Sequence, residues 1–347
     1  MKRKSNIELC RIIAMLLVVL LHANYLSLGG VELNDVEVAP LDSFLKVLSE
    51  QLCIICVNVF ILISGWFGIK ANIKGAVSLL FQVFFYHILI CCLFICLGET
   101  VPIKMIIKGF YFGSPYWFVI AYLILYAISP ILNAFIESAT PRMFASVLIA
   151  FFLMEFIYGW ATNIAAFNGG YTAISFVGLY LLAQFIRKYS LKLQKISISA
   201  NFILYFVFSI MPVGLFFITG HKFNIMAYSS PFVILSSVFF FLAFNKMKLS
   251  NNVINYFACS TLSIYIVHLH PLICPAFINL MNVAYETLGG YGYALFVIVF
   301  AVCFGISCII VDKLRIALWK FSCKFIIDRM VSKTTNWMNK IYSYIGI

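Results

Sequence analysis

Stretches of about 20 apolar residues recur along almost the whole chain, separated by short polar connections. A helix needs about 20 such residues to cross the hydrocarbon core of a bilayer, where the backbone polar groups must be satisfied within the segment. The pattern therefore predicts an all-α, polytopic membrane helix bundle with about ten transmembrane helices. The predicted spans are residues 7–27, 44–68, 76–97, 116–136, 142–160, 171–187, 200–219, 227–245, 253–283 and 291–318.

The ninth predicted span is longer than the others and contains Pro271 and Pro275. A proline inside a helix removes one backbone hydrogen bond and clashes with the preceding turn. We therefore expect a kink or break directly after His270. The spans form one transmembrane domain, residues 1–318. Residues 319–347, in which aromatic and basic residues alternate, are predicted to form an amphipathic cytoplasmic tail on the inner leaflet.

Lys and Arg are distributed unequally between the two sets of loops. If the odd-numbered spans start on one face, that face receives 20 of the 24 Lys and Arg residues. Cytoplasmic loops are enriched in these residues, so both termini are predicted to be cytoplasmic, in a multi-pass protein of the cell inner (plasma) membrane. The same loops account for the net charge of +12 without a nucleic-acid partner. Only 10% of the residues are charged, which excludes a soluble enzyme on a single anchor.

An ionisable side chain inside a membrane span marks a functional candidate, because burying it in hydrocarbon is unfavourable. The first span carries Arg11 and His22, which are eleven residues apart. About three helical turns separate them, so they share nearly the same helix face, about 16 Å apart along the axis. Glu8, three residues before Arg11, is placed to contact its guanidinium. Alone, His22 is equally well explained as an interfacial histidine, and its alignment with Arg11 favours a functional role.

Other polar residues in the spans have competing explanations. Glu155 lies deep in its span, so it must be paired, protonated or directed at a polar cavity. His87 is best explained by a hydrogen bond to a neighbouring helix. A structural and a catalytic role are equally open for His268 and His270, beside the predicted break. Residues at i and i+2 do not share a helix face, so no metal site is expected there, whereas Tyr265 and His268 do share one.

Five segments in order along the chain resemble motifs of the acyltransferase-3 family of integral membrane acyltransferases. They are Arg11 and His22 with ten residues between them, residues 60–67 with Ser64 and Gly65, residues 116–118 with Tyr122, Tyr126, Pro130 and Asn133, residues 176–181, and residues 263–268. The resemblance implies an O-acyltransferase that moves an acyl group, expected to be acetyl, from cytoplasmic acyl-CoA to a hydroxyl of a cell-envelope or exported glycan. A lipid-linked glycan is included among these acceptors.

Under this hypothesis the polar residues receive definite roles. His22 is predicted to be the general base, with Glu155 as the acidic partner that orients its imidazole. Cations near the cytoplasmic face are expected to bind the anionic donor, and the candidates are Arg11, Lys70 and Lys74, although the family commonly has arginines where the two lysines stand. Supporting roles are predicted for Glu8, which holds Arg11, for Asn58, Ser64 and Trp117 as oxyanion donors, and for Tyr265 and His268.

Acyl-CoA enters this hypothesis as a donor substrate, with no tightly bound cofactor. Membrane lipids surround the protein, and a homo-oligomer is left open. The alternative function is a secondary transporter or glycan flippase whose translocation path is lined by the same polar residues, and a purely structural or sensory membrane protein is a third. The ordered motifs, together with the lack of an evident internal repeat, favour the enzyme. The acceptor sugar, the acyl chain and the choice between direct transfer and a covalent intermediate are also left open.

Overall fold

The computed structural model describes residues 3–110, 116–219 and 224–345. Every regular element within these ranges is helical, which confirms the predicted all-α class. Seven described helices are long and apolar enough to cross a membrane. They are Ser5–Leu26, Pro40–Phe67, Ile73–Cys96, Trp117–Ser138, Pro141–Ala161, Ile198–Thr219 and Cys274–Phe321.

Shorter helices complete the bundle. Ala173–Tyr189 and Pro231–Lys246, of 17 and 16 residues, occupy the places of the sixth and eighth predicted spans. The remaining helices are shorter still or lie at the C-terminus: Leu33–Val38, Ile103–Phe110, Leu191–Lys195, Asn252–Ala258, Leu262–His268 and Lys324–Ile345. For reference below, α1 is Ser5–Leu26, α2 is Pro40–Phe67, α3 is Ile73–Cys96, α4 is Ala173–Tyr189, α5 is Leu262–His268 and α6 is Cys274–Phe321.

The long helix α6 is a hairpin with two arms. Gly289 has φ 67° and ψ 174°, a non-helical conformation in the region that favours glycine. The rings of Phe277 and Phe300 have centroids 5.9 Å apart, although 23 residues of straight helix would separate them by about 35 Å. Residues 274–288 and 290–318 therefore run antiparallel, in agreement with separate ninth and tenth predicted spans.

The ninth predicted span is broken beside its prolines, two residues before the predicted position, and it is also interrupted at residues 259–261. The helix α5 ends at His268, and a turn that contains Pro271 connects it to α6. Pro275 lies in the first turn of α6, where its missing N–H leaves no helical hydrogen bond unmade. The break is thus a consequence of the sequence, and it places two histidines at the end of a short helix inside the bundle.

Contacts between helix ends define two faces of the bundle. On one face, called the N-terminal face, Ser5 Oγ donates to the Asn251 carbonyl at 3.2 Å and Lys313 Nζ donates to the Tyr256 carbonyl at 2.7 Å. On the opposite face, called the far face, the Tyr293 hydroxyl donates to the Ala23 carbonyl at 2.5 Å. The excess of Lys and Arg predicts that the N-terminal face is cytoplasmic.

The predicted tail forms the helix Lys324–Ile345, which packs beside the start of α3. Lys74 Nζ lies 2.5 Å from Asp328 Oδ1, and the rings of Trp319 and Phe81 have centroids 4.9 Å apart. The tail therefore contacts the N-terminal end of α3 and supplies a carboxylate to one of its lysines.

Helices α2 and α4 approach closely at Gly65. An added Cβ there would lie 2.6 Å from the Tyr180 carbonyl oxygen, which is closer than real Cβ atoms come. The Gln184 side chain also donates to the Gly65 carbonyl at 2.5 Å. Small residues permit this approach between membrane helices. The contact holds α2 in place against α4, and thereby also the side of α2 that faces α1.

We expect Gly65→Ala to lower the free energy of unfolding by about 1–3 kcal/mol, because the methyl group must push the two backbones apart. Thermal or denaturant unfolding of the protein in detergent would measure this. The matched control is Gly214→Ala, since an added Cβ at this helical position meets no described atom within 4 Å. Equal stability of the two variants would contradict the close contact.

Candidate active site

His22 lies where α1 changes from α-helical to π-helical hydrogen bonding, at His22–Leu26. Single π-turns inside α-helices insert an extra residue and occur frequently at functional sites. The His22 carbonyl accepts a hydrogen bond from Ser27 Oγ at 3.1 Å, and the His22 side chain is half-buried. The local distortion of α1 thus coincides with the histidine that the sequence singles out.

The imidazole of His22 is paired with that of His268. His22 Nδ1 lies 2.7 Å from His268 Nε2, and His268 Nδ1 lies 2.6 Å from the Ile264 carbonyl oxygen. A carbonyl oxygen only accepts, so His268 carries its proton on Nδ1 and accepts at Nε2. His22 must then donate from Nδ1, and its Nε2 keeps a free lone pair. The pairing holds neutral His22 in the tautomer that a general base requires.

The break that follows α5 determines the position of His268. It is fully buried, and its ring packs edge-on against Phe277 at 5.6 Å and Phe304 at 6.4 Å, one on each arm of α6. The hydrogen bond to Ile264, one helical turn earlier, fixes the ring plane. His268 is therefore a rigid acceptor for the His22 N–H.

One cavity of about 500 Å³ connects the neighbourhoods of Arg11 and His22. At the N-terminal face its lining includes Arg3 and Arg11. The far end is lined by aromatic residues and His22. The connecting walls are mainly apolar and include Met15, Val18, Val57, Phe60 and Val119. The volume lies within the range of small-molecule sites in proteins.

Arg11 is held by Glu8, as their spacing predicts. Arg11 Nη1 lies 3.3 Å from Glu8 Oε1, and the Glu8 side chain is nearly buried. The structure does not bring the other predicted cations to the cavity, since neither Lys70 nor Lys74 is among its described lining residues. Lys70 is exposed, and Lys74 is paired with Asp328 of the tail. Arg3, at the first described position of the chain, takes their place beside Arg11.

The structure does not place Glu155 against His22 Nδ1 as predicted, because His268 occupies that side of the ring. Glu155 starts a second π-helical turn, Glu155–Ala161, and is 1% exposed. Neither of its carboxylate oxygens makes a hydrogen bond within the described part of the chain, although the Ser175 hydroxyl on α4 is close enough to interact. The sequence correctly indicates that Glu155 is buried in its span, but it does not indicate which residues its carboxylate faces.

The three predicted oxyanion donors occupy different places. Ser64 lines the cavity, but its hydroxyl donates to the Phe60 carbonyl at 2.9 Å. Asn24 on α1 bonds Ser49 on the antiparallel α2, which places Ser64 about 22 Å further along α2, near the level of Arg11 and away from His22. Asn58 is fully buried, and its amide donates to the Tyr228 carbonyl at 2.9 Å.

Trp117 and Tyr265 both line the cavity, as does His22. The Tyr265 ring lies 6.3 Å from that of His268 in an edge contact, as expected for residues three apart on one helix. Trp117 packs against two tyrosines of the far end, Tyr171 and Tyr228, at 4.7 and 5.8 Å. Of the predicted supporting residues, these two thus lie at the far part of the cavity.

A second histidine pair lies outside the cavity lining. His87 Nδ1 is 3.0 Å from His270 Nε2, and Cys91 completes a buried group whose potential metal-ligating atoms lie within 4.8 Å of one another. The Leu272 N–H donates to His270 Nδ1 at 3.2 Å, so His270 donates from Nε2 to His87 Nδ1. His87 Nε2 can then donate to the Ile106 carbonyl at 3.0 Å. Hydrogen bonds thus engage all four ring nitrogens, and the pair serves to hold the break.

Sequence reasoning missed Arg3, Tyr171 and Tyr228, all of which line the cavity. A signal for the two tyrosines is present in the sequence, because Tyr171 and Tyr228 are the first and second residues of even-numbered predicted spans, and Trp117 is likewise a second residue. The starts of even-numbered spans meet on one face, so aromatic residues at these positions are brought together. No comparable signal marks Arg3 among the basic residues of the N-terminus.

Comparison with protein families gives a match over most of the chain. The model of the acyltransferase-3 family, described as an acyltransferase domain, matches residues 4–312, which is nearly the whole chain. No curated protein and no solved structure matches the chain. The matched region includes both histidine pairs, both ends of the cavity and all of the predicted site residues.

Proposed function

The chain belongs to the acyltransferase-3 family of membrane acyltransferases, and we propose that it moves an acyl group, expected to be acetyl, from cytoplasmic acyl-CoA to a hydroxyl of a cell-envelope or exported glycan. The proposal places it in the inner (plasma) membrane. The observation that carries it is the cavity that arginines line at one end and that His22, whose Nε2 keeps its lone pair, lines towards the other. A donor bound from one face and an acceptor bound from the other would meet at this base.

The donor end matches the charge of coenzyme A. Its phosphates are anionic, and charge-assisted hydrogen bonds from Arg3 and Arg11 would hold them at the N-terminal face. The acyl-bearing arm would then extend about 16 Å along α1 to the level of His22. The mainly apolar walls between these points suit an uncharged arm.

The reaction needs one proton to move twice. His22 Nε2 accepts the proton of the acceptor hydroxyl as its oxygen attacks the thioester carbonyl. A C–O bond forms, the C–S bond breaks, and the proton passes from His22 to the leaving sulfur, which yields the ester and the free thiol of coenzyme A. His268 accepts the Nδ1–H bond throughout, so it orients the ring and stabilises the transient imidazolium.

We expect Arg11→Gln to raise the KM for acetyl-CoA about tenfold, because one charge-assisted hydrogen bond to a phosphate is lost, and to change kcat less. The assay uses purified protein in lipid nanodiscs, labelled acetyl-CoA and an envelope glycan fraction as acceptor. The matched control is Lys74→Gln, which removes an equal charge outside the cavity and is expected to leave KM unchanged.

The same assay tests the proposed function itself. The enzyme predicts release of free coenzyme A together with labelled glycan ester. A transporter or flippase with the same polar path predicts movement of glycan across the membrane without consumption of acetyl-CoA. If the wild-type protein neither binds coenzyme A nor consumes acetyl-CoA, the proposed function is wrong.

A further inference from the structure

We propose that Trp117, Tyr171 and Tyr228 form a platform for the acceptor, and that this platform selects a pyranose ring over an acyclic polyol. The inference rests on the proposed acyl transfer and adds the place and the residues that select the acceptor. The three side chains are called the aromatic platform below. All three line the same cavity as His22.

The aromatic platform is a mutual cluster of three rings. The centroids of Trp117 and Tyr171 lie 4.7 Å apart, those of Tyr171 and Tyr228 lie 4.7 Å apart, and those of Trp117 and Tyr228 lie 5.8 Å apart. The planes are tilted by 34–58°, so the rings do not stack on one another, and all three residues line the cavity. Aromatic faces arranged in this way offer a broad apolar contact to a flat, rigid ligand.

Polar groups border the same surface. The hydroxyls of Tyr171 and Tyr228 are close enough to interact, and Tyr25 on the π-turn that begins at His22 approaches Tyr171. Among the described residues that line the cavity, the only Lys or Arg side chains are Arg3 and Arg11 of the N-terminal end. The described lining of this end therefore offers apolar faces and neutral hydroxyls, with no Lys or Arg for an anionic ligand.

The platform is held rigidly by two loops that pack against each other. The Ser229 N–H donates to the Gly169 carbonyl at 3.2 Å, and the Asn58 amide donates to the Tyr228 carbonyl at 2.9 Å. Gly170 has φ 93°, and a Cβ there would lie 2.7 Å from Ser229 N, so only glycine fits. Because the loops are fixed before a ligand arrives, little ordering opposes binding.

Its location suits the acceptor. Trp117, Tyr171 and Tyr228 precede or begin helices that start on the far face, where the last turn of α1 carries His22. The donor phosphates are proposed at the opposite end, so the two substrates would not compete for one mouth of the cavity. A hydroxyl bound over the platform would be on the side from which it can reach His22.

The chemistry of the platform selects the ligand class. A pyranose presents a flat face of C–H groups that can pack on aromatic rings, and hydroxyls at its edge that can bond tyrosine hydroxyls. A flexible polyol such as glycerol carries the hydroxyls without the flat face. A hydrocarbon chain carries neither the flat shape nor the hydroxyls. The platform thus predicts a preference for a cyclic sugar that acyl-transfer chemistry alone does not require.

The experiment compares methyl β-glucopyranoside with glycerol as acceptors for labelled acetyl-CoA, using the full-length protein in nanodiscs. We expect wild-type protein to favour the glucoside in kcat/KM, and Tyr171→Ala to reduce this preference about tenfold through the KM of the glucoside. Tyr171→Phe, which keeps the ring, is expected to retain most of the preference. Because Tyr171 is 37% exposed, its replacement by alanine does not leave a buried void the size of a tyrosine ring.

The matched control is Tyr158→Ala, which removes an exposed tyrosine outside the cavity and is expected to keep the wild-type preference. Acetyl-CoA consumption without acceptor serves as the donor-side readout and should be the same in all variants. The platform is refuted if wild-type protein shows no preference for the glucoside, uses neither acceptor while still hydrolysing acetyl-CoA, or keeps its preference in Tyr171→Ala. Wild-type protein that neither binds coenzyme A nor consumes acetyl-CoA would instead refute the proposed function.

Discussion

Replacement of His22 by alanine is expected to reduce the rate of acyl transfer by about 10²–10⁴-fold, the usual contribution of a general base. Of the four ring nitrogens in the His22–His268 pair, His22 Nε2 is the one that keeps a free lone pair. The His22–His268 hydrogen bond and the Ile264 carbonyl engage the other three. Without His22 Nε2, nothing removes the proton of the attacking hydroxyl. The measurement is labelled acetyl transfer in nanodiscs, with coenzyme A binding recorded on the same sample.

Two companion measurements separate loss of the base from loss of structure. His22→Gln keeps a polar side chain that can donate to His268 but cannot take up a proton, so it should be as inactive as the alanine variant. Imidazole added to His22→Ala should restore part of the rate, since the cavity is open to small molecules. Full activity in either variant, with unchanged thermal stability, would show that His22 is not the base.

The fold is predictable from the sequence because the bilayer constrains it so strongly. Apolar length alone locates the spans, and the prolines near residue 270 predict the break that follows α5. Hydropathy does not determine which helices are short or how the hairpin turns at Gly289. These features depend on packing between helices that are distant in the sequence.

The candidate site is predictable only where its residues share one helix. The contact of Glu8 with Arg11 and their alignment with His22 follow from helical periodicity. The partner of His22 lies 246 residues away, on a helix whose direction is set by a break. The sequence instead favours Glu155, the acid that lies deep in a predicted span. Lys74 is predicted to bind the donor because it is a cation near the cytoplasmic face, and nothing in the sequence shows that Asp328 of the tail reaches it.

Because His268, and not Glu155, contacts His22 Nδ1, replacement of His268 is the second substitution with a large expected effect. We expect His268→Phe to lower kcat about 10²-fold or more and to leave the KM for acetyl-CoA unchanged, because the ring still packs against Phe277 and Phe304 while the acceptor for the His22 Nδ1–H is lost. Neutral His22 would then place its proton on either nitrogen, and the imidazolium formed during transfer would lose its partner.

Two further variants decide between the histidine and the acid as the group that acts through His22. His268→Gln provides a carbonyl oxygen that can accept the same hydrogen bond, so it should recover part of the lost kcat. Glu155→Gln should retain wild-type kcat per folded molecule, since the carboxylate makes no hydrogen bond to His22. The opposite outcome, an inactive Glu155→Gln beside a fully active His268→Phe, would restore the acid to the role that the sequence first assigned to it. A neutral partner fits the apolar setting, because the pair then carries no net charge until the hydroxyl proton arrives.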